Sequence, residues 1–219
     1  MSEKPAVFRV NQQNAEIQEV GVGWQAVGLA ATIFIRTFNN VGVPTADLAA
    51  ARESAQAVLQ EAGLNIVWAD CWVGGRQPAD APARCQEPVG GDIVLRLQKT
   101  RLRGQAATAR QAGGTDHSRF VSMGFSLVGT EGAAPFLATV YVDRAESVAK
   151  GAGIDTRRVL GLAMAHEIGH VLLNSNSHAS SGLMRADWSR HELRRKDPGA
   201  WAFADADAAR VRSAALERQ

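Results

Sequence analysis

Between Leu48 and Ala62 the apolar residues Leu48, Ala51, Ala55, Val58, Leu59 and Ala62 recur at three- and four-residue steps. That spacing lines one face of a helix. Pro44-Thr45 opens this helix and Gly63 stops it. Elsewhere the pattern changes to runs rich in β-branched and aromatic residues, which predict strands over 31–38, 65–69, 92–97, 121–128 and 137–142. Residues 70–91 hold Gly, Pro and both cysteines and read as a long loop. Residues 99–119 place Lys99, Arg101, Arg103 and Arg110 among Gly, Gln, Ala and Thr, without interleaved aromatics, and read as a solvated loop rather than a nucleic-acid patch. A short helix is predicted over 144–150, ending at Gly151. Asp155 is placed to cap a second helix over 156–173. Further helices are predicted over 188–196 and, past Pro198-Gly199, over 201–218. The chain therefore reads as one α+β domain: a polar lead-in over 1–30, a sheet-and-helix part over 31–173, and a small C-terminal helical part over 174–219.

Composition narrows the class without choosing a function. Of 219 residues, 46% are hydrophobic and 21% charged, which is ordinary globular composition and excludes collagen and coiled coil. Lys+Arg 24 against Asp+Glu 22 leaves a net charge of +2, so charge argues for no nucleic-acid partner. No apolar run is long enough to predict a membrane-spanning helix, and a monomer is expected. No targeting signal is legible, since residues 1–4 are polar and the apolar stretch over 20–35 runs straight into Arg36. Cys71 and Cys85 flank the Gly/Pro-rich loop. A bridge between them would close a loop of 15 residues and contribute about 3 kcal/mol in the chain-entropy account. It would suit an exported protein. Two unrelated thiols is the alternative, and the compartment stays open.

The chemistry concentrates in His166-Glu-Ile-Gly-His170. Histidines at i and i+4 share one helix face, so their imidazoles can converge on one metal ion. Glu167 lies about 100° around the helix from His166, badly placed to ligate but able to reach a water on the metal. Val159, Leu160, Leu162 to Ala165 and Val171 to Leu173 make the helix apolar nearly all round, hence buried. Polar groups at ligand spacing in such a helix need compensation, which a metal provides. A catalytic zinc site needs a third ligand. His178 is the leading candidate, because the Asn174-Ser-Asn-Ser177 cluster ends the helix and turns the chain back. Glu192 and Asp187 are rivals, and His117 and His191 read as surface residues.

These residues resemble the metzincin clan of zinc metallopeptidases, which carry His-Glu-x-x-His on a helix, a third histidine after it, and a methionine-bearing turn beneath the metal. Here Gly182-Leu-Met184 supplies that turn, and Met184 stands 18 residues after His166, similar to the matrixin branch. The chain departs from the pattern at Leu173, where the family has glycine, and at Asn176, where it has the third histidine; His178 comes two places later. The resemblance implies a mixed, twisted sheet with one antiparallel edge strand, packed on helices. It also implies Zn2+ held by His166, His170 and His178, with Glu167 as general base in a metalloendopeptidase acting on peptide or protein substrates. Residues 121–128 would then be the edge strand that pairs with extended substrate. Two alternatives are a non-catalytic zinc scaffold module and a zinc amidase acting on a non-protein amide.

Overall fold

Strand β1 (Ala31–Asn39) alternates buried and half-buried positions along its whole length, as expected of a strand with one face in the core. The computed structural model describes residues 31–87, 89–100, 122–128, 136–195 and 197–218. The lead-in over 1–30 and most of the basic stretch, with His117, lie outside the described residues. β1 is joined by β2 (Leu64–Val73), β3 (Ile93–Gln98), β4 (Gly124–Leu127) and β5 (Phe136–Tyr141) in one sheet of order β2-β1-β3-β5-β4. The pairings β1–β2, β1–β3 and β3–β5 are parallel, and only β4 runs antiparallel, on β5 at the sheet edge. The chain is thus mixed α+β with a five-stranded, mostly parallel sheet.

Helices α1 (Thr45–Glu61), α2 (Val142–Ala152) and α3 (Thr156–Leu173) carry the rest of the core, joined by α4 (Arg190–Leu193) and α5 (Asp205–Leu216). Every residue from Val159 to Leu173 is buried. Asp155 starts α3 by accepting a hydrogen bond from the Arg157 amide, and Asn174 ends it at φ 45°, ψ 45°, the left-handed stop its sequence suggested. Among the described residues, no helix is long and apolar enough to cross a membrane.

Gly161 sets how closely α1 and α3 approach. A Cβ there would lie 2.2 Å from the Ala51 carbonyl oxygen and 2.7 Å from Ser54 Cβ. Backbone cannot yield as a side-chain tip would, so Gly161→Ala is expected to force the helices apart. We expect a loss of at least about 1–3 kcal/mol, the usual cost of overpacking a core, read from urea unfolding. An unchanged midpoint would show that the crossing adapts.

Several elements differ from their predicted bounds. β2 runs on to Val73 where a loop was expected from residue 70, because it stays paired with β1 as far as Asn39, past a bulge at Cys71 that shifts the register between Thr37 and Phe38. Cys71 is therefore in a strand, and it is bridged to Cys85 with Cα atoms 5.2 Å apart. The loop so pinned carries Arg84, which lies 3.6 Å from the Phe34 ring centroid and pairs with Asp92 at 2.8 Å. β4 is shorter than predicted. α2 starts at Val142 and passes through Gly151, because Gly153, at φ 66°, makes the stop. The helix expected over 188–196 is a single turn, with Ser189 and Glu192 forming its capping box. The closing helix begins only at Asp205. Trp201 belongs to a 3-10 turn over Pro198–Trp201.

Candidate metal centre

The i and i+4 spacing on α3 does what it predicts. His166 and His170 are 8% and 4% exposed, and their Nε2 atoms stand 2.9 Å apart. Each ring is aimed by its other nitrogen. His166 Nδ1 is 2.8 Å from the Leu183 carbonyl oxygen, and His170 Nδ1 is 2.7 Å from that of Ser175. A carbonyl only accepts, so both Nδ1 atoms carry hydrogen and both Nε2 atoms present lone pairs. Two lone pairs facing at that distance repel unless a cation stands between them. Protonating one ring is disfavoured: burial, and then the neighbouring His170 and His178, push the His166 imidazole down to about 4, against the bond to Leu183. Burial likewise lowers His170. This donor set fits a metal ion.

His178 completes it. The chain leaves α3 at Asn174 and is drawn back by the Ala179 amide, which donates to the Met184 carbonyl oxygen at 2.8 Å. One ligand atom each from His166, His170 and His178 lie within 4.8 Å of one another. These three residues could hold a metal ion. The rivals stand elsewhere: Glu192 is engaged by Ser189 and Arg185, and Asp187 lines the adjoining cavity outside the ligand group. His191 is exposed, as expected.

Met184 is 1% exposed. Its sulfur lies 2.6 Å from where a Cβ on Gly169 would sit, so it packs against α3 beside His170, as a floor would. Leu183 is fixed by its amide, which donates to the Ala202 carbonyl oxygen at 3.2 Å. That contact steadies the carbonyl that aims His166.

Glu167 lies against β4 and lines the same cavity as the three imidazoles. It is 5% exposed, and burial raises its carboxyl to about 7, against the bond from Ser126. Ser126 Oγ is 2.7 Å from Glu167 Oε2 and 2.8 Å from the Glu167 backbone oxygen, so one hydroxyl proton serves both. Gly124 frames the other side, where a Cβ would lie 2.7 Å from Glu167 Oε1. Sequence reasoning passed over Gly124 and Ser126, though their two-residue spacing already put them on one strand face. It also passed over Trp188, whose ring meets His166 edge-on at 5.6 Å between centroids. Its Nε1 donates to the same Leu183 carbonyl at 3.3 Å. A cavity of about 770 Å³ opens beside the histidines and Glu167.

No family model and no curated protein matches the chain.

Proposed function

We propose that this chain is a zinc-dependent metalloendopeptidase of metzincin-like build. The reading is carried by one juxtaposition. A three-histidine donor set presents paired Nε2 lone pairs to a cavity, and a carboxylate offset from that set faces the same cavity. Three imidazoles suit zinc and leave a position for substrate. The edge strand β4 and the packed methionine are further points of likeness.

His166, His170 and His178 hold the ion. When bound, zinc acidifies a water and polarises the peptide carbonyl. Glu167 accepts the proton of the attacking water on Oε1, since Ser126 holds Oε2, and hands it to the leaving amine nitrogen. Ser126 and Gly124 keep the carboxylate at its angle. Gly124, Phe125 and Ser126 belong to the antiparallel edge strand and line the cavity, so an extended peptide adding to that edge passes the base. A purely structural metal site has no use for such a carboxylate.

The test is cleavage of an unstructured protein and a broad peptide library by zinc-loaded protein. Cleavage is expected to stop with chelator and return with zinc. Full zinc content without cleavage of any peptide would overturn the reading.

A further inference from the structure

Beyond Glu167 the cavity runs between α2 and α4, walled by side chains for which the peptidase chemistry has no use. Val148 and Gly151 of α2, Ala163 of α3 and Leu193 of α4 line this recess. Ala163 stands one helical turn before Glu167 on α3, so the recess opens beside the base. Arg190, the first residue of α4, also lines it and reaches across to α2. Its Nη2 is 3.9 Å from where a Cβ on Gly151 would sit. Arg190 pairs with no carboxylate among the described residues, whereas Arg185 on the same wall is held by Glu192. Arg144 contributes a further guanidinium, bonded to the Ser122 carbonyl and lying 4.7 Å from the Tyr141 ring centroid. Against these, the lining among the described residues holds two carboxylates: Glu167, engaged by Ser126, and Asp187.

We propose that this recess receives an acidic side chain of the substrate, next to the scissile bond, and that Arg190 is the residue that selects it. The inference rests on the peptidase reading. The small, apolar wall suits the methylenes of glutamate, and the guanidinium meets its carboxylate at the far end. A wholly apolar side chain would leave the guanidinium against hydrocarbon, and a basic one would be repelled.

The experiment uses two blocked, dye-labelled peptides, identical except for one central Glu or Gln, titrated by fluorescence anisotropy against zinc-loaded Glu167→Gln protein. The Glu peptide is expected to bind up to about fivefold more tightly, an advantage of the size an exposed charge pair confers. The advantage should shrink with added salt. It should vanish in the Arg190→Gln background and widen with Asp187→Asn. Arg190 is exposed, so its replacement is expected to leave the fold intact, checked by an unchanged melting temperature. Equal binding, absence of binding, or a preference that survives Arg190→Gln overturns the inference. If wild type cleaves both peptides while they bind equally, the peptidase reading stands and the selection by Arg190 falls. If the Glu peptide binds through Arg190 but is never cleaved, the selection stands and the peptidase reading falls.

Discussion

Glu167→Gln is expected to keep the metal and the fold while lowering peptide cleavage by about 10²–10⁴-fold, the usual range for a general acid–base group. The upper end is expected, because in the proposed mechanism one carboxylate both removes and returns the proton. The amide keeps the shape of the carboxyl and can still accept from Ser126, so zinc content per chain should not change. If the variant cleaves as fast as wild type, the base is another residue. The metal-free protein offers an independent check through its pH dependence. With its folded pKa raised from 4.5 to about 7, the Glu167 contribution to stability is present below 4.5 and is lost as pH rises through 7. His166, lowered from 6.5 to about 4, acts in the opposite sense. Its contribution is present above 6.5 and is lost as pH falls through 4. The two slopes oppose one another where the windows overlap, while His170, also lowered by burial, adds to the His166 sense, so the metal-free wild type should show a shallower pH profile there than a protein lacking Glu167. Glu167→Gln removes one of them. The stability of the metal-free variant should then fall more steeply than that of wild type on acidification from 6.5 toward 4, by at least about 3 kcal/mol in all. Urea unfolding in chelator at several pH values measures this, and a variant with the same profile as wild type would show that the burial of Glu167 does not control stability.

What the sequence made legible was whatever local chemistry decides. The bounds of α3 follow from Asp155 and Asn174, each of which acts on backbone within a few residues. The convergence of His166 and His170 follows from helix geometry alone. The return of His178 was legible as a turn, though its closure depends on the Ala179–Met184 bond. Non-local contacts decided the rest. β2 extends because β1 continues opposite it to Asn39, across a bulge at Cys71. Trp188 stays out of α4 because its indole serves Leu183 and His166. The start of α2 carries Asp143, whose Oδ1 is 2.9 Å from the Thr100 amide, a partner 43 residues away. Ser126 and Glu167 are separated by 41 residues, and only the placement of β4 over α3 brings them together. A periodic pattern puts Ser126 on a strand face without saying which residue that face meets.

The second large effect is expected from the ligands themselves. Loss of a group that merely orients a ligand typically costs about 10–100-fold in metal affinity, so removal of a direct ligand should cost at least about 100-fold. His178→Ala is therefore expected to weaken zinc binding by that factor or more, while Glu192→Ala and Asp187→Ala leave it within a few-fold. Glu192 is occupied by Ser189 and Arg185, and its loss removes a cap rather than a donor. The Trp188 ring lies 5.6 Å from the His166 ring centroid, so tryptophan fluorescence provides the titration signal. Affinity also appears as stability, because zinc binds the folded donor set and not the unfolded chain. Zinc held free at a thousand times its dissociation constant stabilises the fold by about 4 kcal/mol. For a chain of this size that is a rise in melting temperature of roughly 8–16 °C, reversed by chelator. In His178→Ala, at the same free zinc, a loss of about 100-fold in affinity leaves only about 1.4 kcal/mol of that gain. If Glu192→Ala rather than His178→Ala abolishes the rise, the third ligand is a carboxylate, and the likeness to metzincins fails at the residue on which it most depends.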